Sequence, residues 1–240
     1  MFQQAFKIYK QNFRSVLFVA VCLFVNDFLY LEENFELISS TIMLLIWTYL
    51  AIVIHAQLLD ENIEYKSLGF IRLLLGFFFR STVLTIVSLI PAFIIVLLLF
   101  GAFDGDLYFY HYIYIGITYL SAMIGFAGLY ARCGIILPVY VAGKAVDLQS
   151  LYNNKSVRFG KTFKQLLLGP CFITGITSFI WYWFDEIVYY DIFSMNIQSE
   201  YHSFLHWVWL VPSTFIEAFS VVMMAMILCN FYHSIDFEDR

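Results

Sequence analysis

Charged residues are scarce in this chain: only 13% of its 240 residues are Asp, Glu, Lys or Arg, and 62% are hydrophobic. Soluble domains carry roughly 25% charged residues, so the composition excludes an ordinary water-soluble domain. The chain length is therefore better interpreted as a number of membrane spans of ~20 residues each than as a number of soluble domains. The composition predicts an integral membrane protein.

Cysteine is also sparse, and its four copies are scattered along the chain without any C-x-x-C spacing. All of them lie in or beside apolar runs: Cys22, Cys133, Cys171 and Cys229. A disulfide framework or a cysteine metal site is therefore not expected, and each residue is interpreted as a small buried hydrophobe.

Motifs of intramembrane and soluble enzymes are missing as well. The chain has no G-x-S-x-G, no H-E-x-x-H and no Walker-type glycine loop. The pair Glu32–Glu33 resembles the start of the E-E-x-x-x-R element of intramembrane prenyl-protease-like families, but Leu37 stands where that element needs arginine. We expect no catalytic residue, no cofactor, no nucleic-acid partner and no enzymatic activity.

Long apolar runs are what the chain has in abundance. Six of them reach spanning length and predict one all-α, polytopic membrane domain over residues 1–240, with spans at about 15–31, 37–59, 81–101, 111–131, 167–187 and 207–231. The first run lacks a small-x-small cleavage site, so we interpret it as an uncleaved span rather than a signal peptide. Amphipathic patterns predict interfacial helices at about 2–14, 66–80 and 148–165.

Basic residues are missing from one whole side of this predicted topology. With six spans, both termini and two connecting loops share one side, and all 13 Lys and Arg residues lie there or at the adjoining span ends. The other side collects acidic residues: Glu32, Glu33, Glu36, Asp104, Asp106, Asp185, Glu186, Asp191 and Glu200. The positive-inside rule then predicts that both termini are cytoplasmic.

The basic residues of two predicted interfacial helices are candidates for binding anionic lipid headgroups. A basic side chain near an anionic surface contributes ~1 kcal/mol. The alternative is that these residues only enforce topology. The candidates are Arg72, Arg80, Lys155, Arg158, Lys161 and Lys164.

Glu217 is the most unusual residue of the last apolar run, where it lies near mid-depth. An ionised carboxylate there costs ~2.5 kcal/mol or more, so we expect it to face the bundle interior, to be protonated or to pair. The candidate partners are Arg132, Arg80, or a Tyr or Ser hydroxyl on another span. A structural polar clamp is the favoured interpretation, and proton or cation coupling is the alternative.

Other polar residues in or beside the spans have plainer interpretations. Asp27, near the outer end of the first span, is expected to be solvated, and His55 is expected to be packed and hydrogen-bonded. His202 and His206 are four residues apart and could share a helix face that binds a divalent metal; interfacial histidines are the ordinary explanation. A stripe of small residues in the fourth span predicts close helix packing, and its members are Ser121, Gly125, Gly128 and Ala131.

Two outer segments are both acidic and aromatic: "FDGDLYFYHYIYIG" and "WYWFDEIVYYDIF". Tyr and Trp at span ends ordinarily form the interfacial belt. The same surface could also dock a protein partner, since Tyr and Trp anchor interfaces. An immunity protein that neutralises a pore-forming toxin would have this size and this lack of catalytic residues.

The order of these features resembles a known family. An amphipathic "YKQNF" lead-in precedes six spans, the fourth span closes with "RCGIILPVYVAGK", and the basic connector "SLYNNKSVRFGKTFKQLLLGP" follows. This resembles the bacterial YciC-like inner-membrane proteins and the related membrane domain found beside glycerophosphodiester phosphodiesterases. The matching positions are Arg132, Pro138, Leu151, Val157 and Gly160, and Asn154 stands where the family usually has serine.

The resemblance implies a multi-pass protein of the bacterial inner membrane with a role tied to membrane lipids. It does not imply phosphodiesterase activity, because the soluble catalytic domain is absent from this sequence. We therefore expect a non-catalytic protein that helps to organise or maintain the membrane through lipid and protein contacts. Partner binding, such as toxin immunity, is the second hypothesis, and a small transporter or channel that uses Glu217 is the third.

Overall fold

The computed structural model describes residues 1–30, 36–61, 68–102, 107–144, 159–187 and 199–234. Within these ranges the side chains are described for 1–26, 38–61, 68–98, 115–144, 159–180, 208 and 210–234.

The described chain is helical and contains no strand, which confirms the all-α prediction. The helices are α1 (Phe2–Gln11), α2 (Phe13–Tyr30), α3 (Glu36–Leu58), α4 (Leu68–Ala102), α5 (Leu107–Cys133), α6 (Ile136–Val141), α7 (Phe159–Leu166), α8 (Phe172–Ile187) and α9 (Ser199–His233). A π-helical turn, Leu167–Cys171, joins α7 to α8.

Several of these helices have the length and composition of membrane spans. Among the described residues, four stretches are long and apolar enough to cross a membrane: Ile38–Leu58, Leu68–Leu98, Phe159–Ile180 and Leu210–His233. The bent pair Phe2–Gln11 and Phe13–Asn26 would make a fifth. Helix α5, which contains the predicted run 111–131, is not among them over its described residues, so the count of six spans stays a prediction.

Helix α4 differs from the sequence prediction at its centre. We predicted an interfacial helix at 66–80 and a separate span at 81–101, but one helix of 35 residues covers both from Leu68 onward. The apolar composition continues across residue 80 without glycine or proline, so nothing ends the helix there. At a rise of about 1.5 Å per residue, α4 is about 52 Å long.

The predicted interfacial helix at 148–165 is also continuous with a span over its described part. Residues 148–158 lie outside the described ranges, and α7 then leads through the π-helical turn into α8. The stretch Phe159–Ile180 counts as one candidate span. The predicted boundary between the interfacial helix and the span, near 165–167, is therefore a local widening of the helix and not a break.

The N-terminal lead-in, by contrast, is a helix of its own. Helices α1 and α2 meet at Asn12 with a bend of 76°. Asn12 closes α1 because its Nδ2 donates a hydrogen bond to the Ile8 carbonyl at 2.9 Å, in competition with the backbone. Helix α1 packs on α9, where the Tyr9 ring lies 5.7 Å from the Phe219 ring. Its location in the membrane interface stays a prediction.

Contacts between helix ends show which ends of the helices lie together. His233, at the end of α9, has Nε2 3.3 Å from the Leu58 carbonyl at the end of α3. At the opposite end of α3, Ser39 contacts Asn26 of α2, whose Nδ2 donates to the Ser39 carbonyl at 3.0 Å. The end of α5 lies at the same end as His233, because Leu228 of α9 packs beside Gly134. The beginnings of α4 and α7 join it through the contacts of Tyr140 with Arg72 and of Arg132 with Phe159.

The core lies between α3 and α9, near that same end. Leu50–Ala56 of α3 and Ala225–Cys229 of α9 are buried on every side. Helix α4 is peripheral: only 11% of its most apolar window is buried, against 50% for that of α9. Its buried residues are Phe77, Ser88 and Ala92; the Phe77 ring meets His55 of α3, and the Ser88 carbonyl lies against Gly125 of α5.

Candidate functional site

The end of the bundle where α3, α5 and α9 finish carries most of the described basic side chains. We call this set the basic end and define it by Arg72, Arg80, Arg132, Lys144, Lys161 and Lys164. Three of the six cations lie over an aromatic ring from another helix or from a different part of the chain.

Arg80 is the residue of the basic end whose side chain is held by both a ring and a backbone carbonyl. Its Cζ lies 3.9 Å from the centroid of the Tyr140 ring, and its Nη1 donates a hydrogen bond to the Gly76 carbonyl at 3.0 Å. The Tyr140 hydroxyl in turn donates to the Arg72 carbonyl at 3.3 Å. Gly76 is required for this arrangement, because a Cβ at that position would overlap the Tyr140 hydroxyl. Arg80 is thus half-buried, and its guanidinium lies over the Tyr140 ring.

The other two aromatic contacts tie neighbouring helices to the same end. Arg132, at the end of α5, has its Cζ 5.6 Å from the centroid of the Phe159 ring at the start of α7. Lys144 Nζ lies 5.7 Å from the centroid of the Tyr232 ring in α9. These distances are within the range of cation–π attraction.

Lys161 and Lys164 lie on α7 and are both exposed. They share the helix with the buried residues Thr162 and Leu166, which face the bundle. The remaining two headgroup candidates, Lys155 and Arg158, lie outside the described residues. The structure therefore brings four of the six predicted lipid-binding residues to one end and adds Arg132 and Lys144 to them.

A second polar region lies inside the membrane span, where α9 crosses the π-helical turn. Pro170 lacks an N–H, and its ring would clash with the Leu166 carbonyl in a regular helix, which explains the wider turn. Ser220 of α9 donates a hydrogen bond to the Pro170 carbonyl at 3.0 Å. The Thr174 hydroxyl lies 2.8 Å from the Ser220 hydroxyl. Since the single Ser220 proton goes to the carbonyl, Thr174 is the donor to Ser220.

Ser220→Ala is expected to lower the free energy of unfolding by about 1 kcal/mol, because it removes the bond that connects α9 to the π-helical turn and leaves the Pro170 carbonyl without it. The matched control is Ser121→Ala; among the described residues the Ser121 hydroxyl bonds only to the Ile117 carbonyl of its own helix, at 2.7 Å. Unfolding in detergent, titrated with SDS, measures both. An equal loss in the two variants would contradict a connecting role for Ser220.

Glu217 lies one turn before Ser220 on α9 and is half-buried. Within the described residues it makes no hydrogen bond and no ion pair. Two of its predicted partners are engaged elsewhere, Arg80 with Tyr140 and Arg132 with Phe159. The neighbouring hydroxyl, that of Ser220, donates to Pro170 instead. The expected polar clamp is therefore not found in the described part of the chain.

His55 is fully buried in α3. Its Nδ1 lies 2.7 Å from the Ala51 carbonyl and so carries the donated proton, and its ring meets Phe77 edge to face at 5.4 Å. Its Nε2 has no partner among the described residues, and neither does Oδ1 of the buried Asn26. Both atoms are enclosed by protein.

Three other predicted residues are only partly described. The backbones of Asp27 in α2 and of His202 and His206 in α9 are helical, and their side chains lie outside the described residues. Among the residues that are described, no group of three or more His, Cys, Asp or Glu side chains is arranged to hold a metal ion. The predicted metal-binding role of His202 and His206 stays a prediction.

Two connecting elements escaped the sequence analysis. The first is the pair Ser220 and Thr174, and the second is Tyr130, whose hydroxyl lies 3.1 Å from the Thr85 hydroxyl. A signal existed for both, since each hydroxyl residue lies in an apolar run where a partner is needed. The sequence does not show which helix supplies that partner.

The fold and these contacts define the class of protein: an all-helical bundle with several helices apolar enough to be embedded in a membrane. Searches of protein-family models, of curated proteins and of solved structures find no match to this chain. The similarity to YciC-like proteins accordingly stays a resemblance carried by the quoted motifs.

Proposed function

We propose that this protein is a non-catalytic, multi-pass protein that organises or maintains the bacterial inner membrane by holding anionic lipids at its basic end. The observation that carries the proposal is the convergence of six cationic side chains at one end of a bundle with membrane-span helices. Each cation near an anionic surface adds ~1 kcal/mol of binding.

Arg80 supports a headgroup phosphate as the ligand of this end. Its guanidinium lies over the Tyr140 ring, and one of its N–H groups donates to the Gly76 carbonyl. The remaining N–H groups retain the fork geometry that matches phosphate oxygens. A guanidinium that is held in place in advance loses less side-chain entropy when an anion binds.

The proposal includes an orientation. The positive-inside rule assigns the basic end to the cytoplasm, which makes both termini cytoplasmic. Anionic phospholipids in the cytoplasmic leaflet would then meet α7 and the first turns of α4. The exposed residues Lys161 and Lys164 are positioned on α7 to reach their headgroups.

The combined variant Arg80→Gln/Lys161→Gln/Lys164→Gln is expected to bind phosphatidylglycerol about 100-fold more weakly, because three contributions of ~1 kcal/mol are lost. Native mass spectrometry of the purified protein, titrated with phosphatidylglycerol or with phosphatidylcholine of the same acyl chains, measures the two dissociation constants. Phosphatidylcholine binding is expected to be unchanged.

The matched control is Lys161→Arg/Lys164→Arg, which preserves charge and is expected to bind phosphatidylglycerol as the wild type does. The proposal fails if the triple variant retains wild-type affinity for phosphatidylglycerol. It also fails if the folded variant loses affinity for both lipids equally, because the basic end would then not distinguish an anionic headgroup.

Partner binding at the outer face, including toxin immunity, stays a prediction, because the side chains of 103–114 and 181–193 lie outside the described residues. A small transporter or channel that uses Glu217 is the third hypothesis, and no flux pathway among the described residues favours it over lipid binding.

A further inference from the structure

We propose that Glu217 is a proton-binding site inside the bundle, at which a carboxylic acid is held in the membrane and exchanges its proton. The site is separate from the basic end, and the proposal does not depend on lipid binding there. Four observations lead to it: the position of the residue, the direction in which it faces, its lack of donors and the number of oxygens that it supplies.

The first observation is position. Glu217 lies within the candidate span Leu210–His233 and not at its end. It is half-buried, and its neighbours on the helix, Ser213, Ala218 and Ser220, are buried. An ionised carboxylate at such a depth is costly unless it is paired.

The second observation is direction. Residues separated by eleven positions lie about three turns apart on the same face of an α-helix. Leu228 is fully buried, and its side chain packs beside Gly134 at the turn between α5 and α6. Glu217 therefore lies on the same face of α9 as the buried Leu228. Tyr9 of α1 packs on a different face, where it contacts Phe219.

The third observation is the absence of donors. No lysine, arginine, hydroxyl or amide among the described residues donates to Glu217. The hydroxyls on the same stretch of α9 donate to backbone carbonyls instead: Ser213 to Leu210 at 2.9 Å, Thr214 to Leu210 at 2.8 Å and Ser220 to Pro170 at 3.0 Å. A neutral carboxylic acid needs none of these donors, and a carboxylate would need several.

The fourth observation distinguishes a proton from a metal cation. A hard cation takes about six or more oxygen ligands, whereas the carboxyl group of Glu217 supplies only two. Within the described ranges, no second carboxylate, histidine or cysteine joins Glu217 in a group of three. A proton is the ligand that one carboxyl can bind alone.

Labelling with the hydrophobic reagent dicyclohexylcarbodiimide tests the proposal on the full chain in lipid nanodiscs. The reagent reacts with protonated carboxyls in apolar surroundings: the acid proton passes to a carbodiimide nitrogen, a carboxyl oxygen bonds to the central carbon, and nothing leaves. We expect one adduct by intact mass, located at Glu217 by peptide mapping. Labelling is expected to decline as the pH rises, because the reactive acid form is lost.

Glu217→Gln is expected to abolish the adduct, and Glu61→Gln, which changes an exposed carboxyl just after α3, is expected to keep it. Replacing choline chloride with sodium chloride is expected to leave the labelling rate of the wild type unchanged. An adduct on another residue, or no adduct on the folded wild type across the pH range, would overturn the proposal.

Protection by sodium would also overturn it, because the ligand would then be a metal cation. Peptide mapping of the wild type gives the decisive result even if Glu217→Gln fails to fold, since it locates the adduct without a variant.

Discussion

Gly125→Ala is expected to lower the free energy of unfolding by about 2 kcal/mol, although it adds only one methyl group. A Cβ at Gly125 would overlap the backbone carbonyl oxygen of Ser88 and would lie 3.6 Å from Cγ of Pro91. A backbone atom cannot move aside as the end of a side chain can. The change therefore has to separate α5 from α4, and close approach at small residues is what holds membrane helices together.

Gly128→Ala is the matched control on the same helix and in the same stripe of small residues. A Cβ there would lie 3.9 Å from Cε2 of Phe163, which is an ordinary contact. Alanine also has a higher helix propensity than glycine, by up to ~1 kcal/mol. We expect Gly128→Ala to be neutral or stabilising when both variants are unfolded by SDS in the same detergent. Equal behaviour of the two variants would show that α4 and α5 do not meet at Gly125.

Tyr130→Ala is expected to cost about 3–5 kcal/mol of unfolding free energy, the largest loss we expect from a single truncation in this chain. Tyr130 is 1% exposed, and its ring stacks on Phe126 with centroids 4.1 Å apart. Lipid chains are as apolar as the protein interior, so the loss is mainly that of packing contacts around a buried ring and not of the hydrophobic effect.

Tyr130→Phe removes the hydroxyl and keeps the ring, so it measures the contribution of the hydroxyl to stability. The hydroxyl lies 3.1 Å from the Thr85 hydroxyl and donates to the Ser81 carbonyl at 3.3 Å. Removing it is expected to cost about 1 kcal/mol, in line with hydrogen bonds between membrane helices. If Tyr130→Ala were no more harmful than Tyr130→Phe in thermal unfolding, the ring would not be part of the packed interior.

Much of the fold could be predicted because a membrane simplifies the problem. Apolar runs had to become helices, since backbone polar groups need internal partners in lipid. The distribution of Lys and Arg predicted which helix ends share one side. Four of the predicted basic residues do gather at one end: Arg72, Arg80, Lys161 and Lys164. Each of these predictions rests on a property of one segment at a time.

The relations between segments were harder to predict. Residues 66–80 were predicted to form an interfacial helix separate from the span that follows, and from Leu68 onward they belong to one helix that continues to Ala102. A sequence does not show where a uniformly apolar helix turns or ends. The contact between Arg80 and Tyr140 was missed for a similar reason, because the two residues lie in different helices.

For Glu217, too, the position along its own helix could be predicted and its contacts with other helices could not. Its depth in the last span could be estimated by counting residues along the run, and it does lie within the candidate span Leu210–His233. Its partner could not be predicted, because Arg80 and Arg132 are held by aromatic rings that the sequence does not bring near them. The candidate partners of Glu217 were chosen from the few cations near the spans, and the aromatic rings that bind those cations were not anticipated.

Helix α4 has a consequence for the lipid around it. Its candidate span, Leu68–Leu98, has 31 residues and is therefore about 46 Å long, against a hydrocarbon core of about 30 Å. With Arg72 and Arg80 at the headgroups, as proposed above, residues 81–98 are about 27 Å long and fit the hydrocarbon core, whereas residues 68–80 form about 20 Å of the same rod beyond it. Within the described ranges α4 is the least buried of the four candidate spans, so most of this rod contacts lipid and not protein.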